Sequence, residues 1–284
     1  MRTRLFWRKL PFTAGVLCAA CSLFGILLRA QNVSFQVGTV PQEVIEQRLN
    51  RMPSKEADRE ASLKAMFEDS GCAGSRIMEE QVNPKSPPNL ICTLAGTTSA
   101  RIIVAAHFDY SHEGNGAVDD WTGASLLPSL YQALKSNPRK HTIEFIEFTE
   151  KEDHLGGSRF HVKHLDKGEL AAIKAVINLE SLGLTTTQVW AYAANSALVG
   201  DLTRLAQAVQ IPVKGVYIQY VEDDDTKPFR DAKIPAMTIH SVTQRTLYII
   251  NSRRDNLRAI SVPQLYESFL LVSQYLGYID QTLD

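Results

Sequence analysis

Four short stretches carry side chains that bind metals or move protons. "VAAHFDY" ends an apolar run at His107, and Asp109 follows two residues later. Alternation along an extended chain puts both on one side. A carboxylate beside an imidazole is the partner that fixes a ring tautomer on a metal. "GAVDDWTGAS" sets Asp119 and Asp120 in a glycine-flanked loop ahead of a helix. "FIEFTEKEDHLGGSRF" crowds Glu150, Lys151, Glu152, Asp153 and His154 at the exit of another apolar run, and "INLESLG" closes a third with Glu180. Each has a simpler reading. His107 alone suits a structural role, Asp119 a helix cap, and Glu152 a solvated turn. Glu180 resists that treatment, because a carboxylate closing so apolar a run needs a partner. Together His, Asp, Glu and Glu form a ligand set suited to zinc.

Such residues converge only if the elements behind them line up. "NLICTLAG" and "RIIVAAHFDY" read as adjacent strands, and "HTIEFIEFTE", "AAIKAVINLE", "TQVWAYAA" and "IPAMTIHS" as further strands. Helices are expected over residues 42–70 (one or two), at "TGASLLPSLYQALKSNP", from Gly157 to Leu165, and at "SALVGDLTRLAQAVQ". The last helix, "SVPQLYESFLLVSQYLGYI", carries a capping-box pattern at Ser261 and Gln264, and Leu265, Phe269, Val272 and Leu276 repeat at helical spacing. Strands alternating with helices predict an α/β fold. The expected form is a three-layer α/β/α sandwich whose central sheet is mixed and mostly parallel, with working residues at the carboxyl ends of its strands.

The ends of the chain differ in character. Arg2, Arg4, Arg8 and Lys9 precede an uncharged run from Phe12 to Leu28, so residues 1–30 read as a secretory signal or a retained anchor. Residues 31–88 are expected to be a helical segment packed on the main domain, which spans 89–284. Export would place the protein in a secreted or periplasmic (extracytoplasmic) compartment, with membrane attachment as the alternative. It would also leave Cys72 and Cys92 as an even pair under oxidising conditions, either bonded to each other or two buried thiols. A formal net charge of −1 with no basic stripe argues against a nucleic-acid partner.

The order of these motifs resembles the zinc exopeptidases of metallopeptidase family twenty-eight, which includes aminopeptidases, the peptidase domain of glutamate carboxypeptidases and the related glutaminyl cyclases. "AAHFDY" is similar to the family's His-x-Asp strand end, and "GAVDDWTGAS" to its Gly-Ala-x-Asp-Asn loop. "EKEDHLGGS" resembles its Glu-Glu turn and "INLESLG" its Asn-Leu-Asp/Glu strand end. "DTKPFRDAKIPA" resembles its Asp-x-x-Pro-Phe segment and "NSRRDNLRAI" its His-Thr-x-x-Asp-Thr segment. The resemblance implies that His107 and Glu180 hold one zinc ion. Glu152 and a histidine near position 251 hold a second, and Asp119 bridges them. Asp109 orients His107, and the acid preceding Glu152 is the general base.

Two positions depart from that pattern. Lys151 stands where the base belongs, and Asn251 where the last histidine ligand belongs. Glu150 is an alternative base, and His240 or His112 an alternative ligand. The remaining option is a single zinc on His107, Asp119 and Glu180. Asp225 reads either as part of the substrate pocket or as one of an acidic surface run. The resemblance therefore implies an exported zinc-dependent exopeptidase, aminopeptidase-like, acting on a peptide or aminoacyl substrate. The alternatives are a degenerate metal-binding homologue in which Lys151 and Glu152 pair, and a one-zinc acyltransferase like the glutaminyl cyclases, which also uses the histidine missing at 251. A non-enzymatic scaffold anchored in a membrane is the reading from another class.

Overall fold

The computed structural model describes residues 35–111, 113–216 and 223–284. The expected signal or anchor segment and His112 lie outside them. Among the described residues, eight strands make one sheet. They are β1 (Ile77–Glu80), β2 (Asn89–Leu94), β3 (Arg101–His107), β4 (Thr142–Phe148), β5 (Ile173–Leu179), β6 (Gln188–Trp190), β7 (Lys214–Val216) and β8 (Ala236–His240). Their order is β1-β2-β4-β3-β5-β8-β6-β7. The central four, β4, β3, β5 and β8, are neighbours and parallel. Antiparallel pairings join β1 to β2, β2 to β4 and β6 to β8, and β7 pairs in parallel with β6.

Alternation along the central strands feeds two cores, which is why these runs are apolar on both faces. Ile102, Val104 and Ala106 of β3 face one side, with Ala175, Ile177 and Leu179 of β5. Helices α1 (Gln42–Leu49), α2 (Glu56–Asp69), α3 (Thr122–Leu134), α6 (Ser196–Val209) and α8 (Val262–Thr282) cover that side. Ile103 and Ala105 face the other side, under α4 (Gly156–His164), α5 (Lys167–Ala172) and α7 (Lys227–Asp231). The result is a three-layer α/β/α architecture with a mixed, mostly parallel sheet.

The strand order corrects one expectation. β2 and β3 are not neighbours, because β4 lies between them and pairs with both. Consecutive strands in a crossover sheet need not touch, and hydropathy does not encode which edge a strand joins. The run around Gln188 is also a shorter strand than its sequence suggests. The capping box before α8 does not form, since Ser261 makes no side-chain cap bond. Pro263 removes one of the N–H groups such a cap would use, and Gln264 instead donates along the helix to Glu267.

The N-terminal helices are needed because α3 is buried on nearly every side. A helix that apolar all round requires cover beyond the sheet. From α1, the buried Arg48 donates to Ser129 (2.6 Å) and Gln132 (2.6 Å) of α3 and to Ser70 (2.8 Å). From α2, Arg59 reaches the loops around the strand ends, donating to the carbonyls of Phe108 (3.0 Å), Gly116 (3.3 Å) and Asn115. Its guanidinium also lies 4.2 Å from the Tyr110 ring centroid. A disulfide between Cys72 and Cys92 ties the end of α2 to β2.

That cross-link has a sequence separation of 20, so closing it in the unfolded chain removes entropy worth about 3 kcal/mol. Replacing both cysteines with alanine should lower the unfolding free energy by about that amount in denaturant titration. The same titration under reducing conditions should move the wild type toward the variant.

Candidate metal centre

Four parallel neighbours place their carboxyl ends along one edge, and the polar residues gather there. His107 closes β3 and is fully buried. Its Nδ1 lies 3.2 Å from the Asp109 carbonyl and 3.4 Å from Asp109 Oδ1, and its Nε2 lies 3.2 Å from Asp119 Oδ1. Asp109 Oδ2 accepts the Glu152 amide at 2.8 Å, so one carboxylate steers both the imidazole and the turn after β4. His107, Asp119 and Glu180 each offer a ligand atom, all within 4.8 Å of one another. Two ligands of a tetrahedral ion at ~2.0–2.2 Å stand about 3.3 Å apart, close to the observed imidazole–carboxylate spacing. One imidazole and two carboxylates therefore suit a single zinc-like cation.

Lys151 enters the same space. Its Nζ donates to Glu152 Oε1 at 2.8 Å and lies 3.8 Å from both Asp119 Oδ1 and Glu180 Oε1. Burial works against its charge, but Asp119, Glu180 and Glu152 outweigh it and hold the amine well above its ordinary value. Lys151 at the presumed base position is thus a cation, not a proton acceptor. Burial pushes Glu180 well above the usual carboxylate range, against the pull of Lys151. Asp119 moves the other way, because Lys151 and the hydrogen-bonded His107 overcome its burial. Burial and Lys151 depress His107, yet its bonds to Asp109 and Asp119 hold it well above its ordinary value.

The turn carrying Lys151 is fixed from below. Thr149 N–H donates to Asn89 Oδ1 (3.1 Å), Gly157 N–H to the Thr149 carbonyl (3.1 Å), and Leu155 N–H to the Lys151 carbonyl (3.0 Å). A side chain at Gly157 would run into the Thr149 carbonyl, which explains a glycine at the start of α4. Glu150 turns away over that helix start. A Cβ on Gly156 would come 2.5 Å from its Oε2, so Glu150 does not reach in as the alternative base.

The other expected residues lie elsewhere. His240 is not in the donor group. Its ring stacks on Trp190 at 3.4 Å between centroids, and its Nδ1 accepts the Val242 amide at 3.0 Å. Asn251 stands exposed in left-handed backbone at φ 53°. Asp225 is 1% exposed, so it is not one of an acidic surface run. Burial pushes its carboxyl up to about 6, held back by His107 and the Ser158 hydroxyl.

Of three further residues, Asp120 and Asp255 lie in motifs singled out in the sequence, while Glu147 had no distinct signal there. Asp120, not Asp119, serves the start of α3. Its Oδ1 accepts from Gly123 N (3.0 Å) and from Ser181 N (2.9 Å), joining the start of α3 to the end of β5. Burial raises its carboxyl to about 8. Asp255 accepts the amides of Val118 (2.6 Å) and Asp119 (3.2 Å). Glu147, fully buried on β4, has no hydrogen-bond partner for either oxygen among the described residues. Glu147 sits in an alternating strand run and does not stand out by spacing, whereas Asp255 is the aspartate of the NSRRDNLRAI segment, and what the sequence left open is which amides it accepts.

The pattern of peptidase family M28 matches residues 89–276. The chain belongs to peptidase family M28. Aminopeptidase YwaD of Bacillus subtilis is 30% identical over 138 residues, which take in 47% of this chain and 30% of that protein. This chain thus spans under a third of that relative's length. The M28 fold recurs in the LapA aminopeptidase of Legionella pneumophila, with a TM-score of 0.75 at 21% identity over 86% of this chain and 73% of that one. It recurs also in BSAP, a zinc aminopeptidase from Bacillus subtilis, with a TM-score of 0.63 at 21% identity over 70% of this chain and 50% of that one.

His240 makes stability depend on pH. Burial lowers its pKa from 6.5 to about 3, so the unfolded chain binds the extra proton between those values and the folded chain does not. The stability this neutral ring contributes is complete above pH 6.5 and is lost as pH falls toward 3. His240→Gln, which offers an acceptor to Val242 but does not titrate, should flatten the melting temperature against pH over that window. An unchanged slope would assign the acid sensitivity to other groups.

Proposed function

We propose that this protein is a metal-dependent peptidase, aminopeptidase-like, that cleaves peptide or aminoacyl bonds with one zinc ion held by His107, Asp119 and Glu180. The observation that carries the reading is the convergence of those three donors within 4.8 Å at the carboxyl edge of the sheet. Membership of an M28 family whose named relatives are aminopeptidases supports it. Bound zinc would polarise the scissile carbonyl and lower the pKa of a coordinated water toward ~7.

The protein's own groups then have defined tasks. Asp109 holds the His107 ring and the Glu152 amide, and Asp255 holds the Asp119 and Val118 amides, so the donor set is oriented before any ligand arrives. Glu152 is the most exposed acid beside the cluster, its side chain 22% accessible. Its Oε2, free of the Lys151 contact, takes the proton from the attacking water and passes it to the leaving amine. The Lys151 ammonium faces negative charge that develops on the carbonyl oxygen. Export is part of the proposal. The basic and apolar N-terminal residues and the Cys72–Cys92 bond both support it.

One observation favours a second reading. An ammonium tied to Glu152 leaves the base position without a free carboxylate, as in a metal-binding homologue that has lost turnover. Metal analysis and an aminoacyl-nitroanilide assay on the same preparation separate the two. The peptidase reading expects bound zinc with turnover that falls at least ~100-fold in Asp119→Asn and in Glu152→Gln. Bound zinc with no turnover in the wild type supports the second reading.

A further inference from the structure

Lys151 is placed by the fold, not by chance of a flexible side chain. Its turn is pinned through Thr149, Leu155 and Gly157, its side chain is 6% exposed, and Asp109 fixes the adjacent Glu152 amide. The ammonium lies 2.8 Å from Glu152, and 3.8 Å from each of Asp119 and Glu180. Three carboxylates thus share one cavity with one fixed positive charge. A buried carboxylate needs a compensating cation or a proton. One divalent ion on His107, Asp119 and Glu180 together with one ammonium supplies three positive charges against four carboxylates, Asp109, Asp119, Glu152 and Glu180, whereas two divalent ions with the ammonium would supply five. A second divalent ion would leave surplus positive charge in a buried space, and its donors would be poor. Among the described residues His107 is the one imidazole in the donor group, and His240 lies outside it, stacked on Trp190.

We propose that Lys151 is the second cation of this centre: its ammonium occupies the space among Asp119, Glu152 and Glu180, so the site takes a single divalent metal ion and sets that ion's affinity by repulsion. This rests on the metal-centre reading above and goes beyond it, because it assigns the number of ions and the residue that limits it. The ammonium also explains how so acidic a cluster stays folded before metal arrives.

Calorimetric titration of the chelator-stripped full chain with Zn2+, repeated with Co2+ and its visible spectrum, tests this without using turnover. The wild type should take up one ion per chain. Lys151→Met, similar in length and uncharged, should bind the first ion at least about tenfold more tightly, since a like charge is gone from beside it. Lys151→Arg should remain at one ion per chain. Two ions in the wild type would overturn the proposal and leave the metal-dependent peptidase standing. No binding in the wild type would overturn both. Unchanged affinity in a folded Lys151→Met, with folding checked by circular dichroism, would also overturn it. If that variant does not fold, the wild-type and Lys151→Arg stoichiometries still decide.

Discussion

A buried ammonium among three carboxylates is the interaction on which the rest of this protein turns. Removing charges from water is costly, and the cost is offset only where opposite charges are held close. Lys151 meets that condition because the turn after β4 cannot move: Asn89 holds it from β2, Asp109 from the end of β3, and the glycine-initiated α4 from behind. The same contacts position Glu152 and, through Asp109, the His107 ring. Charge balance and ligand geometry are one arrangement here, so a change to the lysine is felt by every acid around it.

That arrangement depends on a frame that brings distant strand ends together. Four adjacent parallel strands supply one edge, and a second layer of bonds squares it up. Asp120 joins the start of α3 to the residue after Glu180, Asp255 holds the backbone of Asp119, and Arg59 ties the loops after β3 to α2. The N-terminal helices therefore have a task that their composition does not reveal. They cover α3, which is too apolar to face water, and they carry the arginine that fixes the loop after Asp109. The Cys72–Cys92 bond secures this cover to the sheet.

Beneath the site lies a set of buried acids that are not equivalent. Asp225 and Asp255 are each raised to about 6 by burial, and Asp120 to about 8. Glu147 has no hydrogen bond among the described residues and is pushed well above the usual carboxylate range by burial and by Asp120. Carboxyls raised as far as Asp120 and Glu147 can stay protonated in an apolar layer at modest cost, where carboxylates could not.

The sequence by itself determined the layer architecture, the strand-end positions of His107, Glu152 and Glu180, and the misfit of Lys151 and Asn251. The first two follow from local pattern, namely apolar runs, glycine-flanked acids and charge at the exit of a strand, and the misfit follows from the resemblance to the family's motifs. Which of two neighbouring aspartates faces the cavity, whether Glu150 or Lys151 points inward, and that β4 separates β2 from β3 were decided by the tertiary structure. So were the loss of His240 to an aromatic stack and the recruitment of Arg59 and Asp255 from far along the chain. The physical reason is that side-chain direction in a turn and strand order in a sheet are set by long-range packing and buried hydrogen bonds. Residue type and spacing record which groups are available, while the fold decides which of them meet.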